Sequence, residues 1–293
     1  MNDNIKIMVC CHKKCEIPLN SIFMPIQVGK KISKVNLDIQ SDCELENQEC
    51  ENISEYNSLF SEMTAFYWAW KNIRSIYPKL EYTGLCHYRR YFRSKVRYVF
   101  FKKILLKCNE ILKIITGYKQ DFKLFDSPEM IVSVNSKKFN NDMNRLRKII
   151  NNNDIVYGQP TIYINNSVKQ CFEVIGRSYI RILEEIVFEY YNEYYQSLEQ
   201  VLNGKTLISA NMVILKCEYL DEYCEFVFGV LEKHINYLVE NKHLTRIDEN
   251  IFFRVPGYLA ELLTATYVEF KKAKGFKTKP VGRYFVESYF KKI

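Results

Sequence analysis

The stretch Leu80-Glu-Tyr-Thr-Gly-Leu-Cys-His-Tyr-Arg-Arg-Tyr-Phe92 constrains the fold more than any other part of the chain. Its first half, Leu80 to Cys86, is short and largely apolar or small, and reads as a buried strand. Its second half presents His87, Arg89 and Arg90, three side chains that bind anions or carry protons. An open α/β sheet presents its chemistry in this way, at the carboxyl edge of its strands. Adjacent arginines on an extended chain point to opposite faces. One would then face a ligand while a structural carboxylate holds the other. The plain alternative is a basic loop after an ordinary strand.

The flanking sequence supplies the elements such a strand needs. Ile5–Cys11 reads as the first and central strand, and His12 follows it in the loop that touches base or ribose in nucleotide-binding α/β folds, or is idle. Asn52 and Glu55 have capping-box spacing. Leu59, Phe60, Met63, Phe66, Tyr67, Trp70 and Ile73 then recur at helical spacing up to Pro78. That aromatic stripe reads as core. Glu62 is an acid on the same helix, placed to hold one of the arginines or to contact substrate. Arg145–Ile150 reads as helix, Asp154–Tyr157 as strand, Ser167–Leu202 as one long helix or two, and Leu207–Lys216 as a strand. Asn211 is polar inside that apolar strand and must find hydrogen bonds, from a ligand hydroxyl or a neighbouring backbone. Tyr219–Val239 is an amphipathic helix and Pro256 opens another. Glu261, among Leu259, Leu262 and Leu263, is expected to be half-buried and paired with Arg254; Asp248 falls in the same region.

Composition bounds the function. With 47% hydrophobic and 15% aromatic residues, the 293-residue chain can bury a substantial core. No run of 18 apolar residues is present, so no membrane-spanning helix is expected, and the amino-terminal residues show no signal-peptide pattern. Ten scattered cysteines, mostly in apolar segments, read as reduced thiols of a cytosolic protein. Cys10-Cys-His-Lys-Lys-Cys15 lacks the second half of a zinc site. The net charge of +8 is uneven: residues 89–119 carry +9, residues 271–293 carry +7, and the remainder carries −8. Within the first patch, 96–115 has the spacing of a basic amphipathic helix, suited to an anionic membrane surface or to packing as an insertion helix. Nothing resembles a nucleic-acid-binding motif. Residues 36–51 read as an acidic surface loop. Its Asp42-Cys-Glu44 is the nearest approach in the chain to a metal-holding Asp-x-Asp.

The run Asn52-Ile-Ser-Glu-Tyr-Asn-Ser-Leu-Phe-Ser-Glu-Met-Thr-Ala-Phe-Tyr-Trp-Ala-Trp-Lys-Asn72, with His87-Tyr-Arg-Arg-Tyr-Phe92 behind it, resembles the DUF4422 family of bacterial polysaccharide-biosynthesis proteins. The resemblance continues through Pro25-Ile-Gln-Val-Gly29, Asn211-Met-Val-Ile-Leu215 and Arg254-Val-Pro-Gly-Tyr-Leu-Ala-Glu-Leu-Leu263. Family members are regarded as glycosyltransferases of capsule, O-antigen and exopolysaccharide loci. The resemblance implies a single α/β domain over 1–293, GT-A-like, a mixed sheet flanked by helices with helical additions in the second half. Residues 93–144 would be a variable basic insertion and 271–293 a basic, aromatic tail. It implies transfer from a nucleotide sugar, a UDP-linked hexose or galactofuranose, to a lipid-linked glycan on the inner face of the plasma membrane. His12, Gln27, Asn52, Glu62, His87, Arg89, Arg90, Asn211 and Arg254 are then expected to bind the nucleotide sugar, and Asp248, Glu261 and His87 to carry catalysis. Many members carry a histidine near Gly176 that is missing here. With no Asp-x-Asp, an arginine fork would do a metal's work on the diphosphate; a divalent ion is possible but not favoured. The rival function is a non-catalytic membrane- or polyanion-binding protein that uses its basic patches.

Overall fold

In a computed structural model, residues 4–46, 48–96, 123–124, 129–163, 166–241 and 254–287 are described. β1 (Ile5–Cys11) is buried along almost its whole length, as a strand covered on both faces must be. It pairs in parallel with β2 (Phe23–Gln27), Met8 opposite Met24, and β2 pairs with β3 (Gln40–Ser41). β4 (Glu44–Leu45) and β5 (Gln48–Glu49) form a small separate ribbon. On the other side of β1 lies β6 (Tyr82–His87), also parallel, with Val9 opposite Cys86. β7 (Arg90–Arg93) folds back from it, while β8 (Lys123–Leu124) and β9 (Glu129–Ile131) come later in the chain.

The second half completes the sheet. β10 (Ile155–Gly158) and β11 (Thr161–Tyr163) precede β12 (Thr206–Leu207), β13 (Val213–Lys216) and β14 (Thr278–Val286). β13 runs antiparallel between β6 and β10; β14 is parallel to β10 and β9 and antiparallel to β7. β8, β11 and β12 make a small antiparallel sheet of their own. The main sheet is therefore mixed, as expected. Gly84 in β6 is needed where β13 crosses close: a Cβ there would lie 2.5 Å from the Val213 carbonyl oxygen.

Helices cover both faces. α1 (Asn57–Phe60) and α2 (Met63–Ile76) precede β6; α3 (Lys137–Asn151) precedes β10. α4 (Val168–Phe172), α5 (Arg177–Tyr190), α6 (Asn192–Asn203), α7 (Leu220–Glu240) and α8 (Val255–Ala273) make up most of the second half. Alternation along β1 separates the two cores. Met8 and Cys10 join the core packed by α2 and α5–α8, while Ile7 and Val9 join the one built on Phe139, Met143, Leu146 and Ile150 of α3. Each such side chain of Leu, Ile or Phe size contributes about 1.5–3 kcal/mol when removed from water.

Five expectations are corrected. The helix through residues 52–76 is broken at Ser61, whose φ of 51° lies in the left-handed region. The Asn57 amide closes the break by donating to the Ser61 carbonyl (2.6 Å) and to Thr64 Oγ1 (3.1 Å). Asn52 caps no α-helix; its amide serves a local turn, donating to Cys50 O and accepting from Ser54 N–H. Ser167–Leu202 is three helices, because the 3-10 turn before Gly176 (φ 130°) and the Tyr191 cap both interrupt the period. Leu207–Lys216 is two strands separated by Ala210 (φ 63°) and Asn211 (φ 48°). Residues 271–287 are no tail. They finish α8 and form β14, with Lys271 buried against Glu222 (2.5 Å) and Arg283 buried within the strand. The basic segment 96–115 lies almost wholly outside the described residues.

Candidate functional site

The chain runs from β1 outward to β2 and β3, then returns to the other side of β1 as β6. Such a reversal leaves a crevice at the carboxyl ends of the two strands, where ligands of open α/β sheets bind. A cavity of about 900 Å³ lies there. Its walls include His12 beyond β1, His87 at the end of β6, Tyr88, Arg89 and Arg90 beyond that, Ser61 and Glu62 at the start of α2, Arg254 at the amino-terminal cap of α8 and Glu261 on that helix. The amino termini of α2 and α8 thus both border it, each bringing partial positive charge to the rim.

His87 pairs with Arg90, so Tyr88 and Arg89 form a two-residue turn and Arg90 begins β7. The arginines therefore are not successive residues of one strand, and both reach the cavity. Burial, and then the Arg89 charge, hold the Arg90 guanidinium below its usual range; Glu261 and Glu62 act in the opposite sense. Arg90 Nε is buried and makes no hydrogen bond. Arg89 lies over the Tyr88 ring at 5.9 Å, and His12 meets the same ring edge-on at 5.1 Å. Burial, Lys13, Arg89 and His87 all hold His12 below its usual value, which keeps its imidazole neutral.

The floor carries two carboxyl groups. Glu62 Oε1 accepts from Asn211 Nδ2 (2.9 Å) and lies 3.9 Å from His87 Nε2. Glu261 Oε1 accepts from the Ala210 N–H (2.8 Å). Burial pushes Glu261 up to about 7, Glu62 pushes it the same way, and the Ala210 N–H, Arg90 and Arg283 pull it back. His87 Nε2 is 2.9 Å from the Ala210 carbonyl. A carbonyl only accepts, so Nε2 carries the proton. Burial keeps this histidine below its usual value against the pull of Glu62. Uneven environments of this kind push neighbouring titratable groups toward different roles.

Seven of the expected residues, His12, Glu62, His87, Arg89, Arg90, Arg254 and Glu261, line this cavity together. Glu261 takes its hydrogen bond from Ala210 rather than from the expected Arg254. Asn211 stands behind the wall: it is fully buried, and its amide spans Glu62 and Thr264 Oγ1 (3.1 Å) rather than lining the cavity. Gln27 is also withdrawn, its amide holding Val35 O (2.6 Å) and Leu37 N (3.0 Å). Asn52 is likewise spent on its own turn. Asp248 lies outside the described residues. Two contributors were missed, the backbone of Ala210 and Arg283. A lone arginine in the apolar run Val281-Gly-Arg-Tyr-Phe-Val286 was the available signal for the second.

The metal loop is also corrected. Asp42 is fully buried rather than solvated. Its carboxylate accepts from Gly29 N–H (2.7 Å), Lys30 N–H (3.2 Å) and Ser54 Oγ (2.5 Å), so it closes the turn after β2. Gly29 has φ 66°, and a Cβ on it would come within 2.8 Å of the Asn57 side chain. Among the described residues no group of three or more His, Cys, Asp or Glu side chains is placed to hold a metal ion.

The fold is a mixed, doubly covered α/β sheet with an arginine- and carboxylate-lined crevice at its switch point. Residues 6–273 match the family described as a domain of unknown function, DUF4422, and the chain belongs to that family. Its fold is shared with the apo structure of WbbM, described as a bifunctional glycosyltransferase, at a TM-score of 0.73 and 20% identity. The likeness covers 97% of this chain and 45% of that one, so this chain spans less than half the length of that protein. No curated protein sequence matches.

Proposed function

We propose that the protein is a glycosyltransferase of the GT-A-like type. It moves a sugar, a hexose or galactofuranose carried on UDP, to a lipid-linked glycan in the synthesis of a surface polysaccharide. The observation that carries the reading is the two-part cavity: guanidinium groups of Arg89, Arg90 and Arg254 border the same space as the carboxyl groups of Glu62 and Glu261. Breaking a bond to a diphosphate leaves negative charge on the leaving group, and preorganised donors lower that barrier most. Arginine forks match phosphate oxygens two at a time. The buried, unpartnered Nε of Arg90 is a donor held in reserve for such an oxygen. A protein that only docked polyanions through its basic surface would gain nothing from two carboxyl groups in the same cavity.

The test is UDP binding by calorimetry together with UDP release from a panel of UDP-sugars. Arg90→Lys should cut turnover by about 100-fold while leaving circular dichroism unchanged, since lysine cannot fork. Near-wild-type turnover in both Arg89→Lys and Arg90→Lys would refute the assignment. Running the assay in excess EDTA, with Mn²⁺ restored, separates arginine from metal assistance; turnover that falls no more than a few-fold is the expected result.

A further inference from the structure

Ala210 and Asn211 both hold left-handed backbone conformations, φ 63° and 48°. Neither residue is glycine, and such conformations cost about 1–3 kcal/mol each, so they persist only where the surroundings over-determine them. What they are held for is visible in their contacts. The Ala210 N–H binds Glu261, the Ala210 carbonyl receives His87, and the Asn211 amide binds Glu62. Three groups that face one cavity are thus fastened by two consecutive residues.

We propose that Glu261 takes the proton of the attacking acceptor hydroxyl, and that Asn211 is a positioning residue that holds Glu62 against it. This rests on reading the cavity as a sugar-transfer site. In the step concerned, the acceptor oxygen bonds to the anomeric carbon. The bond from that carbon to the diphosphate oxygen breaks, its electron pair stays on the diphosphate beside Arg90, and the hydroxyl proton passes to a Glu261 oxygen.

The direction of the hydrogen bonds sets the geometry. Thr264 Oγ1 donates its one hydrogen to Asn211 Oδ1 at 3.1 Å, so the Tyr223 hydroxyl, 2.8 Å away, is the donor to Thr264. The amide of Asn211 is thereby oriented with its oxygen toward Thr264 and its NH₂ toward Glu62. Reversed, it would set its oxygen against the Glu62 carboxylate oxygen. The chain from Tyr223 through Thr264 and Asn211 therefore ends on Glu62 and fixes that carboxyl beside Glu261. Two carboxyl groups confined together resist carrying two negative charges. Facing Glu261 are Glu62 from α2, Arg90 from β7, Arg283 from β14 and the Ala210 N–H. Tyr163 of β11 also feels its charge. The two arginines do not fully offset the neighbouring acid and the burial, so Glu261 sits at about 7, matched to proton transfer near neutral pH.

The experiment is a carbon-13 titration of labelled glutamate carboxyl groups, which requires no substrate; the signal missing from Glu261→Gln identifies Glu261. Asn211→Gly removes the amide and keeps the backbone conformation, which glycine adopts freely. Thr264→Val frees the amide without touching that backbone. In both variants the Glu261 midpoint should fall by about one unit or more as Glu62 is released. The acid limb of UDP release from UDP-sugar should move with it. Glu261→Gln should lose about 10²–10⁴-fold in turnover and keep its UDP affinity. An unmoved Glu261 midpoint in both variants overturns the role of Asn211, and unimpaired turnover in Glu261→Gln overturns the role of Glu261. Failure of the wild-type protein to bind UDP is a separate result, which overturns the donor reading and leaves the titration to decide the carboxyl pair.

Discussion

Two carboxyl groups, Asp42 in the interior and Glu261 on the cavity wall, receive opposite treatment. Asp42 is given three donors and serves as a structural anion. Glu261 is given one N–H and an acidic neighbour, and is pushed from 4.5 up to about 7. Between those two pH values the native protein holds a proton that the unfolded chain has released. Stability contributed by this group therefore falls as pH rises through the window from 4.5 to about 7 and stays low above it. Glutamine keeps the acceptor for Ala210 and removes the penalty. Glu261→Gln is expected to be more stable than wild type by about 3 kcal/mol at pH 8 and to gain little at pH 4. Guanidinium unfolding at the two pH values reads the difference. An equal gain at both would show that the carboxyl carries no penalty.

At the scale of elements, β6 does most to build the site, and its weak point is Gly84. A methyl group there would meet the Val213 carbonyl oxygen at 2.5 Å and the Ile214 backbone at 2.8 Å, both fixed parts of β13. Gly84→Ala should cost about 1–3 kcal/mol or more in urea unfolding, because a sheet cannot yield as a side chain does. Loss below 0.5 kcal/mol would mean that β13 shifts freely. The strand and its charged end were legible in the sequence because composition changes sharply at His87. The broken helix before it was not. Leu59, Phe60, Met63 and Phe66 keep helical spacing across Ser61, and only the left-handed backbone at Ser61 and the Asn57 amide that spans it reveal the break that sets Glu62 at the start of α2. Asn211 was legible as a buried polar residue, yet the apolar runs on either side read as one strand and concealed the left-handed turn that gives it its partners. Likewise the lysines and aromatic residues from 271 onward suggested a basic, aromatic tail, since a strand such as β14 announces itself only through distant pairing.

At the scale of the molecule, the two basic patches now differ in kind. Lys271 is paired with Glu222, Lys272 with Glu269 and Lys274 with Glu193, and Arg283 is buried, so four of the eight cations of the later patch are taken up within the fold. In the earlier patch Arg89 and Arg90 face the cavity and Arg93 pairs with Glu129 at 2.7 Å. What remains is residues 97–119, outside the described residues, with six cations and one acid for +5, interleaved with Phe, Leu and Ile. Among the described residues no helix is long and apolar enough to cross a membrane. The proposed function takes a lipid-linked acceptor, and 97–119 is the segment whose charge suits an anionic leaflet. Each such cation contributes about 1 kcal/mol near that surface and is screened by salt. Replacing Lys102, Lys103 and Lys107 together by Gln should weaken partition to anionic liposomes about 100-fold at low salt. Replacing Lys272 and Lys274 by Gln should change it little, because those charges are already met by acids on the protein. Sedimentation with phosphatidylglycerol and phosphatidylcholine vesicles measures both. Equal partition to the two lipids would end the membrane reading, and an equal loss from both variants would show that the later patch is free to act.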